Sequence, residues 1–455
     1  MITDPLTIGI IGMVALLVLI ALGMRVVFAC ALVGMVGIIA VLYAKPNFDL
    51  AKAFMAGAGL AGLTPHSKSV AYTLSVLPMF ILIGYLAFHA GITKAVFEAA
   101  RRWIGWVPGG LAVASVFATA GFAAVSGAST STAAVFARIA IPEMLAAGYD
   151  RRLAAGVVAA GGTLASLIPP SAILVIYAII VEQSVGALLL AGFLPGLFSA
   201  VVYAALIIFR AWRNPELGRP IRGYTWKQRF ESVPGTTPIL LVIAIIIGGI
   251  YLGLATPTEA GALGAFVVLV MAAIRGMKWE QFQDAILETA KLTVMIFSII
   301  WGVLIFVRFL GFARLPENFA NWIVTLPLDP WTVMILILLA YAVLGMFMDA
   351  IGMLLLTLPV VYPAVVALGP GLGFDPGSND VAIWFGIIVV KMVEICLVTP
   401  PIGLNCYVVN GVRPDIPLTD VFRGIGPFFI ADVLTVAGLV AFPAIITWLP
   451  NQMLN

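Results

Sequence analysis

Between residues 126 and 132 the chain reads SGASTST, which sets Ser126, Ser129, Thr130, Ser131 and Thr132 around Gly127 in otherwise apolar sequence. Hydroxyl and backbone carbonyl oxygens are hard, uncharged donors. Together they can hold a sodium ion at membrane depth without the cost of a buried carboxylate. No acid follows until Glu143, and Pro142 closes the second arm of what reads as a re-entrant hairpin with SGAST at its tip. Ordinary packing of small residues between helices competes with this reading at any single position.

Two further stretches carry chemistry through their backbone. GTLASLIPPSAILVIY (162–177) and VEICLVTPPIGLNCYV (393–408) are apolar enough to lie in a membrane, yet each has a proline pair at its centre. Adjacent prolines remove two donors and clash with the preceding turn, so neither stretch can be one continuous helix. A helix broken there offers free carbonyls on one half, which suit a cation, and free N–H groups on the other, which suit a carboxylate. Thr163, Ser166 and Ser171 flank the first pair; Thr399, Gly403, Asn405 and Tyr407 flank the second. The pattern points to a small organic anion moved together with sodium.

The second-half counterpart of the hydroxyl cluster, LGMFMDAIGMLLLTLPVVYP (344–363), is poor in polar groups: Asp349, Gly352 and Thr357. Asp349, Glu394 and Asp432 are ionisable groups in apolar runs, which reads as function by default. A helix N-cap at Asp349 and structural ion pairs at the other two are the competing readings. In GLATPTEAGALGA (253–265), Thr256, Pro257 and Glu259 have the order of a helix cap and need no functional role. Cys30, Cys396 and Cys406 read as buried small thiols, and His66 and His89 as isolated. No phosphate-binding loop, metal cluster or catalytic pair appears, so the chain does not read as an enzyme and any driving force is an ion gradient or lies on another chain.

The elements that must position these residues are membrane helices. Of 455 residues 62% are apolar and 10% charged, with mean hydropathy +1.14. Apolar runs of about 20 residues, the length that crosses a bilayer, recur at 6–22, 26–43, 68–90, 109–127, 153–182, 187–210, 238–255, 259–275, 292–310, 330–348, 381–410 and 424–448. This is an all-α polytopic membrane protein, embedded in the lipid bilayer, whose first run reads as a permanent span. The one long polar stretch, residues 210–232, is rich in Lys and Arg and reads as a cytoplasmic linker rather than a nucleic-acid patch.

Around that linker the chain repeats its order. Residues 1–209 form a first repeat, with scaffold spans over 6–90, a hairpin at about 109–148 and a broken span at 153–182. Residues 233–455 form a second, with scaffold spans over 238–310, a hairpin at about 330–370 and a broken span at 381–410. Connectors 91–108 and 311–327 correspond, as do the amphipathic stretches 47–59 and 278–290. Five crossings per half put the second repeat upside down relative to the first. Inverted repeats with discontinuous helices are the mark of a secondary transporter.

SGASTSTAAVFARIAIPEMLAAGYDRRLAAGVVAAGGTLASLIPPS (126–171), GLATPTEAGALGA, LGMFMDAIGMLLLTLP (344–359) and VTPPIGLNCYVVNG (398–411) together resemble the large membrane subunit of the tripartite ATP-independent periplasmic (TRAP) transporters, the DctM-like family. The resemblance covers essentially the whole chain. It implies an elevator-type, sodium-driven importer in the bacterial inner membrane. It also implies a separate small four-helix membrane subunit and a periplasmic substrate-binding protein that delivers a carboxylate or sulfonate such as a C4-dicarboxylate or sialic acid. Na⁺ would be the coupling ion, with no other cofactor. Carried onto this sequence, one sodium site would lie between Ser126, Gly127, Ser129 and Thr130 at the first tip and the turn of Gly161, Gly162, Thr163 and Ala165. A second would lie between Gly345 and Asp349 at the second tip and Thr399, Pro400 and Gly403. Ser131, Ser171, Asn405 and Tyr407 are the candidate substrate-binding residues, and the stretches 47–59 and 278–290 would brace a fixed scaffold. A stand-alone sodium/dicarboxylate symporter of the divalent-anion family shares the inverted-repeat plan, but its hairpin tips typically carry Ser-Asn-Thr, where this chain has SGAST and MDAIG.

Overall fold

Apolar runs in hydrocarbon have no water to satisfy their peptide groups, so helix is the way an isolated run can close its own hydrogen bonds. The computed structural model describes residues 4–69, 72–221, 223–346, 348 and 350–453, and among them there are helices and turns but no strand. Among the described residues, seven helices are long and apolar enough to cross a membrane, or eight if the bent pair Trp226–Gly235 and Thr237–Tyr251 is one span.

The two halves run through the same order of elements. In the first, helices Val26–Tyr43, Leu50–Ser69 and Val76–His89 lead to the connector helix Ile92–Ile104. A hairpin of Gly110–Ser126 and Ser129–Ala146 follows, then the half-helices Arg151–Thr163 and Ala172–Ile180, and then Val185–Arg213. In the second, Pro257–Ile274 and Trp279–Phe312 lead to the connector Leu315–Thr325. The hairpin Pro330–Gly345 and Ala350–Leu368 follows, then the half-helices Asp380–Cys396 and Leu404–Val412, and Leu418–Ala441. Residues 153–178 and 381–398 are buried without exception, so the first break lies wholly inside the molecule, whereas the second break, Pro400–Ile402, is exposed.

Three boundaries differ from those expected. The stretch 278–290 and the run 292–310 are one helix, Trp279–Phe312, because no glycine or proline intervenes before Gly302. Its first-half counterpart carries Pro65 within Leu50–Ser69 and re-forms through the 3₁₀ turn Tyr72–Ser75. The final run stops at Ala441 ahead of Pro443 and restarts as Ala444–Met453, as expected of a residue that cannot precede proline in helical geometry. The linker 210–232 holds a short helix, Trp226–Ser232, closed by a Thr225–Gln228 capping box. It docks on the connector: Trp103 packs edge-on to Trp226 and Phe230, and its Nε1 donates to the Arg229 carbonyl at 3.1 Å.

Close crossings are made at small residues, as in membrane helix pairs generally. Gly156 and Gly424 meet backbone to backbone, where a Cβ on Gly156 would lie 2.5 Å from the Gly424 carbonyl. One turn away, the buried Asp420 accepts from Arg151 Nη2 at 2.6 Å and Arg152 Nε at 2.9 Å, tying the first half-helix to Leu418–Ala441. Thr256 and Glu259 form both arms of a capping box, with Pro257 in the first turn, so capping accounts for that motif. The three cysteines are free and buried.

Candidate functional site

The first tip is built on Gly127, which ends helix Gly110–Ser126 with φ +60° and lets extended Ala128 turn the chain into Ser129–Ala146. A Cβ on Gly127 would lie 2.5 Å from the Pro170 carbonyl oxygen, so the tip rests directly on the first proline pair. The Ser126 and Thr132 hydroxyls are 2.7 Å apart across the turn, and Ser126 and Ser129 are buried. The arms enclose the opposite turn: Gly161 abuts Thr119 and Gly162 abuts Ala133. Thr163 Oγ1 donates to the Ala160 carbonyl at 2.7 Å, and Ala165 lies in the 3₁₀ turn Leu164–Ser166. The Ser166 hydroxyl beside it is buried with no hydrogen-bond partner among the described residues. The structure therefore brings the first tip and the first break together.

The second tip meets the second break in the same way but with apolar surroundings. A Cβ on Gly345 would collide with Cys396 Sγ. A cavity of about 210 Å³ between them is lined by Gly345, Met348, Met353, Cys396, Ile402 and Leu404 among others. Asp349 lies outside the described residues. Thr399 turns its hydroxyl back onto the Ile395 carbonyl at 2.6 Å, and Gly403, with φ +48°, fits against Phe422. Both proline pairs, Pro169–Pro170 and Pro400–Pro401, are cis.

In front of both tips opens a cleft of about 1170 Å³. One wall is the second half's long helix, residues 291–305, together with 24–31 at the start of Val26–Tyr43. The other wall carries Gly127–Thr130, Ala172, Ile173, Ala350, Ile351, Leu397 and Leu404. Five of these segments are the first residues of helices: Val26–Tyr43, Ser129–Ala146, Ala172–Ile180, Ala350–Leu368 and Leu404–Val412. Each contributes partial positive charge from its free N–H groups. The charged residues of the lining are Arg25 and Lys291, both cationic and neither with an ion-pair partner among the described residues.

Of the four candidate substrate residues, none lines this cleft. Ser131 borders a smaller pocket of about 180 Å³ with Tyr85, Ser126, Arg138 and Glu288. Ser171 donates to the Ser166 carbonyl and caps the Leu174 N–H. Asn405 is fully buried, and its Nδ2 reaches the Ala159 carbonyl at 3.2 Å, which links the two broken segments; its Oδ1 has no partner. Tyr407 is about half exposed and packs edge-on to Phe422.

Behind the breaks lies a buried ionic network. Lys391 Nζ donates to Glu394 Oε2 at 2.7 Å and to Asp432 Oδ1 at 2.6 Å, and Tyr203 donates to the same Asp432 oxygen at 2.6 Å. Glu394 and Asp432, open in the sequence between function and pairing, are thus paired. Lys391 was missed there, although its i, i+3 spacing to Glu394 in an apolar helix is a legible signal. Arg25 and Lys291 were missed because nothing in the chain marks them as facing one cleft. His89, read as isolated, has its Nε2 3.2 Å from Glu288 Oε2, a correction that required folding two distant helices together. The His66 side chain lies outside what the structure describes.

Comparison with known proteins agrees with this layout. Residues 13–445 match the model of the tripartite ATP-independent periplasmic transporter DctM component. The C4-dicarboxylate TRAP transporter large permease protein DctM of Pseudomonas aeruginosa is 34% identical over 84% of this chain and 87% of its own. The sialic acid TRAP transporter large permease protein SiaM of Vibrio cholerae is 30% identical over 84% and 87%. The crystal structure of the YdaH transporter of Alcanivorax borkumensis superposes with a TM-score of 0.58 at 13% identity, covering 91% of this chain and 98% of that one, which shows a shared fold.

Proposed function

This chain belongs to the DctM component family of the tripartite ATP-independent periplasmic transporters, and on that premise we propose that it imports a small carboxylate or sulfonate across the bacterial inner membrane by sodium coupling. The observation that carries the anion is the cleft: five helix N-termini and two cations without carboxylate partners face one space of about 1170 Å³. Carboxylate cargo is also what the names of the C4-dicarboxylate and sialic acid relatives state.

The first tip supports the sodium. Gly127 rests on Pro170, the hairpin arms abut Gly161 and Gly162 through Thr119 and Ala133, and the Ser166 hydroxyl there lacks a partner among the described residues, which favours an ion held between Ser126, Gly127, Ser129, Thr130 and the Gly161–Ala165 turn. A second ion belongs between Gly345 and the Thr399–Gly403 turn, held chiefly by carbonyls since its surroundings are apolar. The hairpins and broken spans move together as an elevator past the scaffold helices Val26–Tyr43 and Trp279–Phe312. A periplasmic binding protein delivers the acid, and a small membrane subunit braces the scaffold.

Replacing Arg25 or Lys291 by Gln tests the anion reading. Each change raises the acid concentration for half-maximal uptake about tenfold, the size of one lost charge-assisted contact, and leaves the sodium dependence in place. Unchanged acid affinity in both variants contradicts a cationic substrate cleft.

A further inference from the structure

With both of its acids ionised, the network behind the breaks is not electrically balanced. One ammonium, Lys391, faces two carboxylates, Glu394 and Asp432, and the side chains of all three are fully buried. Tyr203 donates to Asp432 but brings no charge. Glu394 Oε1 and Asp432 Oδ2 have no hydrogen-bond partner among the described residues. A buried unit of negative charge with two unsatisfied oxygens is costly, and proteins retain such charge where a positive partner offsets it.

The elements that carry the network converge on the first break. Asp380–Cys396, with Lys391 and Glu394, packs against the Leu164–Ser166 turn, as does Val185–Arg213 with Tyr203. Leu418–Ala441, with Asp432, packs along Arg151–Thr163, the half-helix that leads into the break. The first tip itself carries hydroxyls and no acid, and Glu288, which borders the pocket of Ser126 and Ser131, shares that pocket with Arg138 and lies 3.2 Å from His89 Nε2.

We infer that the Lys391–Glu394–Asp432 network is the fixed counter-charge of the cation bound at the first break. Glu394 and Asp432 are positioning residues that set sodium affinity through the field they supply and do not ligate the ion. The inference rests on the sodium reading above.

The test measures thermal unfolding of the full-length chain in detergent against NaCl, with choline chloride holding ionic strength constant. Wild type is stabilised by sodium and not by choline. Glu394→Gln removes the net charge and raises the sodium concentration for half-maximal stabilisation about tenfold, the scale of one buried charge acting through an effective dielectric of about 20. The double variant Lys391→Met/Glu394→Gln perturbs the same packing but keeps one net negative charge on Asp432, and its midpoint stays within about threefold of wild type. Asp432→Asn provides the same readout should Glu394→Gln fail to fold. An unshifted Glu394→Gln midpoint overturns the inference, as does an equal shift in the charge-conserving double variant. Absence of any sodium effect on wild type instead sinks the sodium reading itself.

Discussion

Gly127 holds a left-handed conformation against the Pro170 carbonyl, so a side chain there meets both backbone strain and a steric collision. Gly127→Leu combined with Thr130→Ala should abolish sodium-dependent uptake while membrane insertion, read from the amount in the membrane fraction, stays normal. Normal transport by this pair shows that the first tip is not a coupling site. At the second tip Gly345 abuts Cys396 Sγ, so Gly345→Ala should push the tip off the break and cut uptake as well. At this scale the hydroxyl cluster and both tip glycines were legible, because their signal is local in the chain. Lys391 with Asp432, 41 residues away, was not. Neither were Arg25 and Lys291, whose role comes from helices that meet only in the folded molecule.

Among the elements, the broken segments show what a proline pair does inside a bundle. Arg151–Thr163 stops short of the pair and Ala172–Ile180 begins after it with Ser171 as N-cap, so the interruption exposes two helix ends in the protein's centre. The second break likewise ends Asp380–Cys396 and starts Leu404–Val412 with Gly403 in the cap position, but Pro400, Pro401 and Ile402 are exposed. Their positions were readable to within a few residues because proline acts on its own turn. The fusion of 278–290 with 292–310 was misread because polarity changes there while helix propensity does not. The Gly156–Gly424 crossing, clamped by Asp420, joins the first broken segment to the last long helix. A side chain at Gly424 would strike the Arg152 carbonyl, so Gly424→Ala should cost about 1–3 kcal/mol, read as a lower unfolding temperature in detergent. An unchanged unfolding temperature means that this crossing is looser than its geometry implies.

For the whole molecule, the recurrence of hairpin, broken span and long helix in each half creates a centre where two tips and two breaks face each other. The all-α class and this order were legible, since hydropathy runs and proline pairs are repeated features. The cleft was not, because its volume depends on how far the scaffold helices stand from the tips. Its cationic lining, the hydroxyl tip and the unbalanced charge behind it make one account: an anion enters in front of the breaks and a cation is held within them. The measurement closest to that account is uptake of a radiolabelled acid into proteoliposomes holding this chain with its small membrane subunit. The binding protein, loaded with the acid, is supplied outside. The account predicts accumulation under an inward sodium gradient, none when choline replaces sodium, and none when the binding protein is left out. Accumulation without sodium contradicts the coupling claim, and accumulation without the binding protein marks the chain as a stand-alone symporter.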